Sequence, residues 1–162
     1  MNILITGANG FVGRNLSAQL RNIRDGKAKN YALTSDLTLY EYDLGSTAEA
    51  LDAYCKEADF VFNLAGVNRP KDPSEFMKGN FGFASTLLDT LRKHGNTCPV
   101  MNSSSIQAAQ DNPYGASKRA GEQLLFDYAR ETGAKVLIYR FPNLFGKWCR
   151  PNYNSVVATF CH

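Results

Sequence analysis

The sequence is poor in the residues that usually carry metals and cross-links. Its two histidines, His94 and His162, stand alone, and its four cysteines, Cys55, Cys98, Cys149 and Cys161, are widely spaced with no C-x-x-C pair. This excludes the common zinc patterns and predicts reduced structural thiols and no metal site. His94 falls at a predicted helix end, where a cation favours the negative end of the dipole, and is given no catalytic role. No apolar run approaches the ~20 residues of a membrane span, and the first residues read as a strand instead of a basic, leucine-rich leader. A cytoplasmic protein without a membrane partner is therefore expected. Charge runs are missing as well: 18 lysines and arginines and 15 acidic residues are scattered, for a net charge of +3. That balance argues against a nucleic-acid partner. Internal repeats, low-complexity stretches and linkers are absent, and 162 residues suit one domain with a substantial core.

What is present is glycine at the start of the chain. Met1 to Arg14 reads M-N-I-L-I-T-G-A-N-G-F-V-G-R, a short apolar run followed by Gly7, Gly10 and Gly13 in the spacing G-x-x-G-x-x-G. Phe11, Val12, Leu16, Leu20 and Ile23 then recur at helical spacing. A strand that turns through glycine into a helix brings main-chain N–H groups and the positive helix end to a diphosphate. The context predicts nucleotide binding.

Strand and helix candidates alternate from there on, which predicts a doubly wound parallel α/β sheet of Rossmann-like type. Six strands are expected: Asn2 to Thr6, Asn30 to Leu33, Leu37 to Tyr42, Asp59 to Leu64, Pro99 to Asn102 and Lys135 to Tyr139. Helices are expected over Thr47 to Lys56, with Ser46 or Thr47 as cap, over Glu75 to Lys93, over Tyr114 to Arg130 and over Asn152 to His162. Pro70 and Pro73 mark a loop. The last helix stops without a glycine or proline signal and no strand follows. The expectation is a C-terminally truncated nucleotide-binding domain over residues 1–162, lacking the lobe that would cover a sugar.

Tyr114 and Lys118 stand four residues apart in Y-G-A-S-K and so share a helix face. A lysine ammonium beside a phenol favours the phenolate and lowers a tyrosine pKa toward a value useful for proton transfer. Ser103, Ser104 and Ser105 follow the fifth expected strand. Together these motifs resemble the short-chain dehydrogenase/reductase superfamily, and T-G-A-N-G-F-V-G is similar to its extended, sugar-nucleotide branch, the NAD-dependent epimerase/dehydratases. The resemblance implies Tyr114 as general acid/base, Lys118 as the residue that tunes it and holds the nicotinamide ribose, and Ser105, with Ser104 as alternative, as the group that binds the reacting oxygen. It implies cofactor contacts from Gly7, Asn9, Gly10, Phe11, Val12, Gly13 and Arg14 at the turn. It further implies contacts from Asp43 beside the adenine, from Leu64, Ala65 and Gly66 in N-L-A-G, and from Ser104, Tyr114, Lys118 and Pro142. Asn80 would support the lysine. The segment from Ser105 to Tyr114 is shorter than in most extended members, so this wall of the site must be built differently.

Three longer stretches, Leu64 to Pro70, Ser103 to Lys118 and Arg140 to Ser155, are similar to the N-terminal reductase domain of bifunctional enzymes of bacterial capsule and O-antigen synthesis. That resemblance implies reduction of the 4-keto group of a UDP-N-acetyl-6-deoxyhexose, with Arg69, Asn143 and Lys147 as substrate or diphosphate contacts. It also implies NADPH. Apolar surface left exposed by the missing C-terminal elements is expected to favour a homodimer. Locally, the end of the second expected strand, Leu33 to Asp36, leaves the choice between NADPH and NAD open, although Arg14 offers a charge for a ribose phosphate. Two other readings compete: an NAD-retaining epimerase or dehydratase, and a non-catalytic dinucleotide-binding module.

Overall fold

A computed structural model describes residues 1–33, 36–67, 72, 74–153 and 155–161. Its centre is a parallel five-stranded sheet built from β1 (Asn2–Thr6), β2 (Thr38–Tyr42), β3 (Phe60–Asn63), β4 (Val100–Ser105) and β5 (Val136–Phe141), in the order β2-β1-β3-β4-β5. The strand order reverses at β1, which pairs with β2 on one side and β3 on the other. A doubly wound sheet opens its ligand crevice at this switch point, outside the carboxyl ends of the strands.

Side-chain alternation decides which helix packs where. Ile3 and Ile5 of β1 face α1 (Phe11–Arg24) and bury against its Leu20 and Ile23 and against Leu37. Leu4 points the other way. It joins Leu51 and Cys55 of α2 (Ala48–Glu57), Leu87, Leu88 and Leu91 of α4 (Phe83–Lys93), and Leu125 and Tyr128 of α5 (Pro113–Thr132). Each fully buried leucine stabilises the fold by about 1.5–3 kcal/mol. Thr47 caps α2 by accepting from Ala50 N at 3.3 Å. Cys55 lies in the core, where burial pushes its thiol up to about 12, and all four cysteines are free. His94 ends α4 beside Asp52 at 3.0 Å.

Two expectations about strands fail. Asn30 to Leu33 forms no strand, with Tyr31 and Leu33 exposed, because Thr38–Tyr42 takes the free edge of β1 in full register from Asn2↔Thr38 to Thr6↔Tyr42. Five strands, not six, are therefore present among the described residues. β4 also runs further than expected, through all three serines, because β5 pairs with it as far as Ser105↔Phe141.

The helix expected over Glu75 to Lys93 forms with an interruption. A short α3 (Ser74–Phe76) passes into a π-helical stretch, Met77–Gly82, and then into α4. Gly79 lies so close to Val67 that a Cβ would fall 2.3 Å from its Cγ2. The last expected helix shrinks to α6 (Val156–Phe160), with none of its residues buried; His162 lies outside the described residues. Among the described residues no helix is long and apolar enough to cross a membrane.

Polar bonds tie the carboxyl ends of the central strands. Thr6 Oγ1 donates to Asn63 Oδ1 at 2.7 Å, and Asn63 Nδ2 donates to Asn102 Oδ1 at 2.7 Å. This buried chain crosses β1, β3 and β4 directly beneath the crevice, and every bond in it is directional. At the β2 edge Glu41 pairs with Arg21 of α1.

Candidate active site

A cavity of about 530 Å³ opens at the switch point. One wall is the glycine turn. Gly7 sits at φ +69°, which only glycine adopts freely, and turns the chain out of β1. A Cβ on Gly13 would fall 2.2 Å from the Gly7 carbonyl oxygen, so α1 can rest on the turn only where no side chain intervenes. Gly10 is the N-cap of α1 and offers no side-chain acceptor, and the first turn holds no acidic residue. The N–H groups at this helix end are therefore left for a ligand, and an anion is the ligand they suit.

The opposite wall is a seam between three consecutive serines and one stripe of α5. Asn112 caps the helix by accepting from Gly115 N at 2.7 Å, and Pro113 takes the first position, where its missing N–H costs nothing. The short connection from Ser105 is one 3-10 turn, Ile106–Ala109, held to the helix by Arg119 Nη1, which donates to the Ala108 and Gln110 carbonyls at 2.7 and 2.9 Å. Gly115 completes this packing, since a Cβ there would lie 2.2 Å from the Gln107 carbonyl oxygen.

Each serine meets a different partner. Ser105 accepts from Gln107 N at 3.2 Å and hydrogen-bonds the Tyr114 phenol. Ser104 donates to Glu122 Oε1 at 2.5 Å. Ser103 donates to the Asn63 carbonyl at 3.1 Å, and its own carbonyl accepts from Lys118 Nζ at 3.3 Å. Ser104 still lines the cavity, but its hydroxyl is committed away from the phenol, and this geometry favours Ser105 over Ser104 as the partner of Tyr114.

The electrostatics differ from expectation. Burial raises the Tyr114 pKa above its usual 10, the Ser105 hydrogen bond opposes that rise, and the Tyr153 phenol adds to it. Lys118 reaches both the strand and the tyrosine ring. Its ammonium points to the Ser103 carbonyl and lies 5.7 Å from the centre of the Tyr114 ring, while desolvation lowers its own pKa to about 8. Asn80 accepts from Val67 N at 2.9 Å and donates to the Val67 carbonyl and Ser117 Oγ, so it braces the backbone after β3 and the helix beside the lysine.

Most residues picked out by sequence line the cavity: Gly7, Asn9, Gly10, Phe11, Val12, Gly13, Arg14, Leu64, Gly66, Ser104, Ser105, Tyr114, Lys118, Pro142 and Asn143. Asp43 and Ala65 do not. Asp43 ends the strand next to β1, and both carboxylate oxygens are engaged, by Asn9 N at 2.7 Å and Leu44 N at 2.8 Å. Arg69, Thr34 and Ser35 lie outside the described residues. Sequence reading missed Gln107, Phe141, Leu144, Trp148, Cys149, Arg150 and Tyr153, which close the cavity from the segment before α5 and the loop after β5. That loop is pinned by Asn15 Nδ2, which donates to the Lys147 carbonyl at 2.7 Å. Two cations approach the Trp148 ring, with Arg14 4.9 Å and Lys147 4.5 Å from its centre. No group of histidine, cysteine and acidic residues suited to a metal occurs among the described residues.

Comparison with known proteins adds three findings. A family model described as the NAD dependent epimerase/dehydratase family matches residues 3–161. A UDP-2-acetamido-2,6-beta-L-arabino-hexul-4-ose reductase of Pseudomonas aeruginosa is 46% identical over 162 residues, covering 100% of this chain and 41% of the relative. The crystal structure of the capsular polysaccharide assembling protein CapF from Staphylococcus aureus is 51% identical, with a TM-score of 0.81 over 99% of this chain and 41% of that one. The chain thus spans about two fifths of the length of these relatives.

Proposed function

Because the chain belongs to the NAD dependent epimerase/dehydratase family, we propose that residues 1–162 form the nucleotide-binding domain of an NADPH-dependent reductase. Its substrate would be a UDP-4-keto-6-deoxy-N-acetylhexosamine, reduced at the 4-keto group in the cytoplasm on a route to capsule or O-antigen precursors. The observation that carries this reading is the pairing of walls across one cavity: main-chain donors of the α1 end on one side, and the Ser105–Tyr114–Lys118 cluster on the other. The reductase relative, named for a 4-ketose nucleotide, supports the substrate class.

The uncapped N–H groups of α1 bind the diphosphate. When bound, the nicotinamide supplies the hydride that the keto carbon receives. Ser105 Oγ hydrogen-bonds the keto oxygen, Tyr114 Oη holds the proton that this oxygen takes up, and Lys118 orients the ribose and offsets charge on the phenolate. The raised Tyr114 pKa in the free site keeps the phenol protonated at neutral pH, which suits a group that donates. Asn143 is assigned to the substrate.

NADPH is preferred because Arg14 presents a guanidinium at the cavity, where it could pair with a ribose phosphate. The second reading, an NAD-retaining epimerase, is favoured by Asp43, since an acid ending the strand beside β1 suits the free ribose hydroxyls of NAD. Fluorescence titration with NADPH and NADH, after checking a denatured supernatant for carried cofactor, separates them. Saturable binding that prefers NADPH, with nothing carried through purification, is expected. Recovery of NAD from the denatured protein would replace the reductase by the epimerase.

A further inference from the structure

The stripe that carries Tyr114 and Lys118 continues for one more turn to Glu122, four residues beyond the lysine on the same face of α5. Glu122 is buried, and its carboxylate accepts three hydrogen bonds: from Ser104 Oγ at 2.5 Å, from Arg140 Nε at 2.9 Å and from Arg140 Nη2 at 2.6 Å. Ser104 and Arg140 are direct partners across β4 and β5, so one side chain of α5 grips both strands at once, one residue before Ser105. A leucine there would pack the helix on the sheet without fixing its position along the strands. Directional bonds to a bidentate guanidinium and a hydroxyl fix it.

We propose that Glu122 is a positioning residue, acting through Ser104 to hold the Ser105 hydroxyl against the Tyr114 phenol. The proposal rests on the reading of Ser105, Tyr114 and Lys118 as the reacting groups and extends it to what aligns them. The groups facing Glu122 are Arg140 from β5, Ser104 from β4 and Arg119 from its own helix. Among the described residues, Tyr114 is faced by Ser105 from β4, Tyr153 from the loop after β5, Lys118 from α5 and the Phe76 ring of α3, set T-shaped to it.

The test needs neither cofactor nor sugar, so its failure is separable from failure of the cofactor titration. The chain is labelled with 3-fluorotyrosine, whose phenol ionises at lower pH than tyrosine's, and the Tyr114 signal is assigned by its loss in Tyr114→Phe. Its titration is followed by fluorine NMR in the parent chain, Glu122→Gln and Ser104→Ala, each with and without Ser105→Ala. Loss of a hydrogen bond to the phenolate is expected to raise the Tyr114 midpoint by about half a pH unit in both single variants. Ser105→Ala should then add nothing in either background. A lowered melting temperature with an unmoved midpoint, and a full Ser105→Ala shift in every background, would reduce Glu122 to a structural residue and overturn the proposal. If Glu122→Gln does not fold, Ser104→Ala decides alone, because it leaves the Glu122–Arg140 pair in place.

Discussion

The two walls of the cavity are made of different material. On the α1 side the groups that meet a ligand are main-chain N–H groups, and what the sequence supplies is the absence of side chains at Gly7, Gly10 and Gly13. On the α5 side the backbone is a scaffold, and the working groups are hydroxyls, an ammonium and a carboxylate. The first wall is limited by space and the second by charge and hydrogen bonding. Substitutions should therefore fail for opposite reasons on the two sides.

The largest effect is expected on the wall of missing side chains. In Gly13→Ala the new Cβ would meet the Gly7 carbonyl oxygen at 2.2 Å and the Ala8 Cα at 2.8 Å, both backbone atoms. A loss of about 3 kcal/mol in denaturant unfolding is expected, together with loss of NADPH binding. Retained binding at parent affinity would show that this wall is not limited by space.

On the other wall, Glu122→Ala should cost about 2 kcal/mol at pH 7, because Ser104 is left without its acceptor while the half-exposed Arg140 can turn to water. Hydrogen bonds from Arg140, the main cause, and from Ser104 hold the Glu122 pKa below its usual value, against burial, which opposes them. The stabilisation is therefore present in full above the unfolded value of about 4.3 and is lost as pH falls through the folded one. Unfolding measured at pH 7 and again near pH 3 should show the gap between parent and Glu122→Gln closing in acid.

Lys118→Met should act in the opposite direction and stabilise the ligand-free chain by about 1–2 kcal/mol at neutral pH, since a desolvated ammonium is removed. With a folded pKa of about 8 and an unfolded one of about 10.4, the burial cost is full below the first value. It is relieved as pH rises between the two, so the advantage of the methionine should shrink across that window. A constant advantage would mean that Lys118 is not desolvated. The smallest change is expected away from both walls. Arg92→Ala removes ion pairs to Asp89 and Glu131 and a contact over the Tyr128 ring, for a loss below about 1 kcal/mol and no change in cofactor affinity.

The same contrast explains what could be read in advance. A glycine turn is written in consecutive residues, so β1, the turn and α1 were legible, as was the Tyr114–Lys118 stripe, which follows from helical spacing. The false strand at Asn30 to Leu33 shows the limit: two neighbouring apolar runs compete for one edge of β1, and only the register of the sheet decides. Glu122 carried a signal that was available, a carboxylate four residues past the lysine, but its partner Arg140 comes from another element and no local pattern links them. Gln107, Trp148, Arg150 and Tyr153 enter the cavity from segments without periodicity, where spacing says nothing about direction. The interruption of the α3–α4 helix was likewise invisible, because the close approach of Gly79 to Val67 within it is a contact between separate segments.

Arg140 has one more consequence, for how the flanks of the sheet are held to their helices. Among the described residues β2 and β5 flank the sheet, and each carries a charged residue, Glu41 and Arg140. Both charges are matched by a helix of the same chain, Glu41 by Arg21 of α1 and Arg140 by Glu122 of α5. Each outer strand is thus tied to its covering helix by an ion pair, so the apolar contacts of the inner strands are joined at both flanks by directional ones.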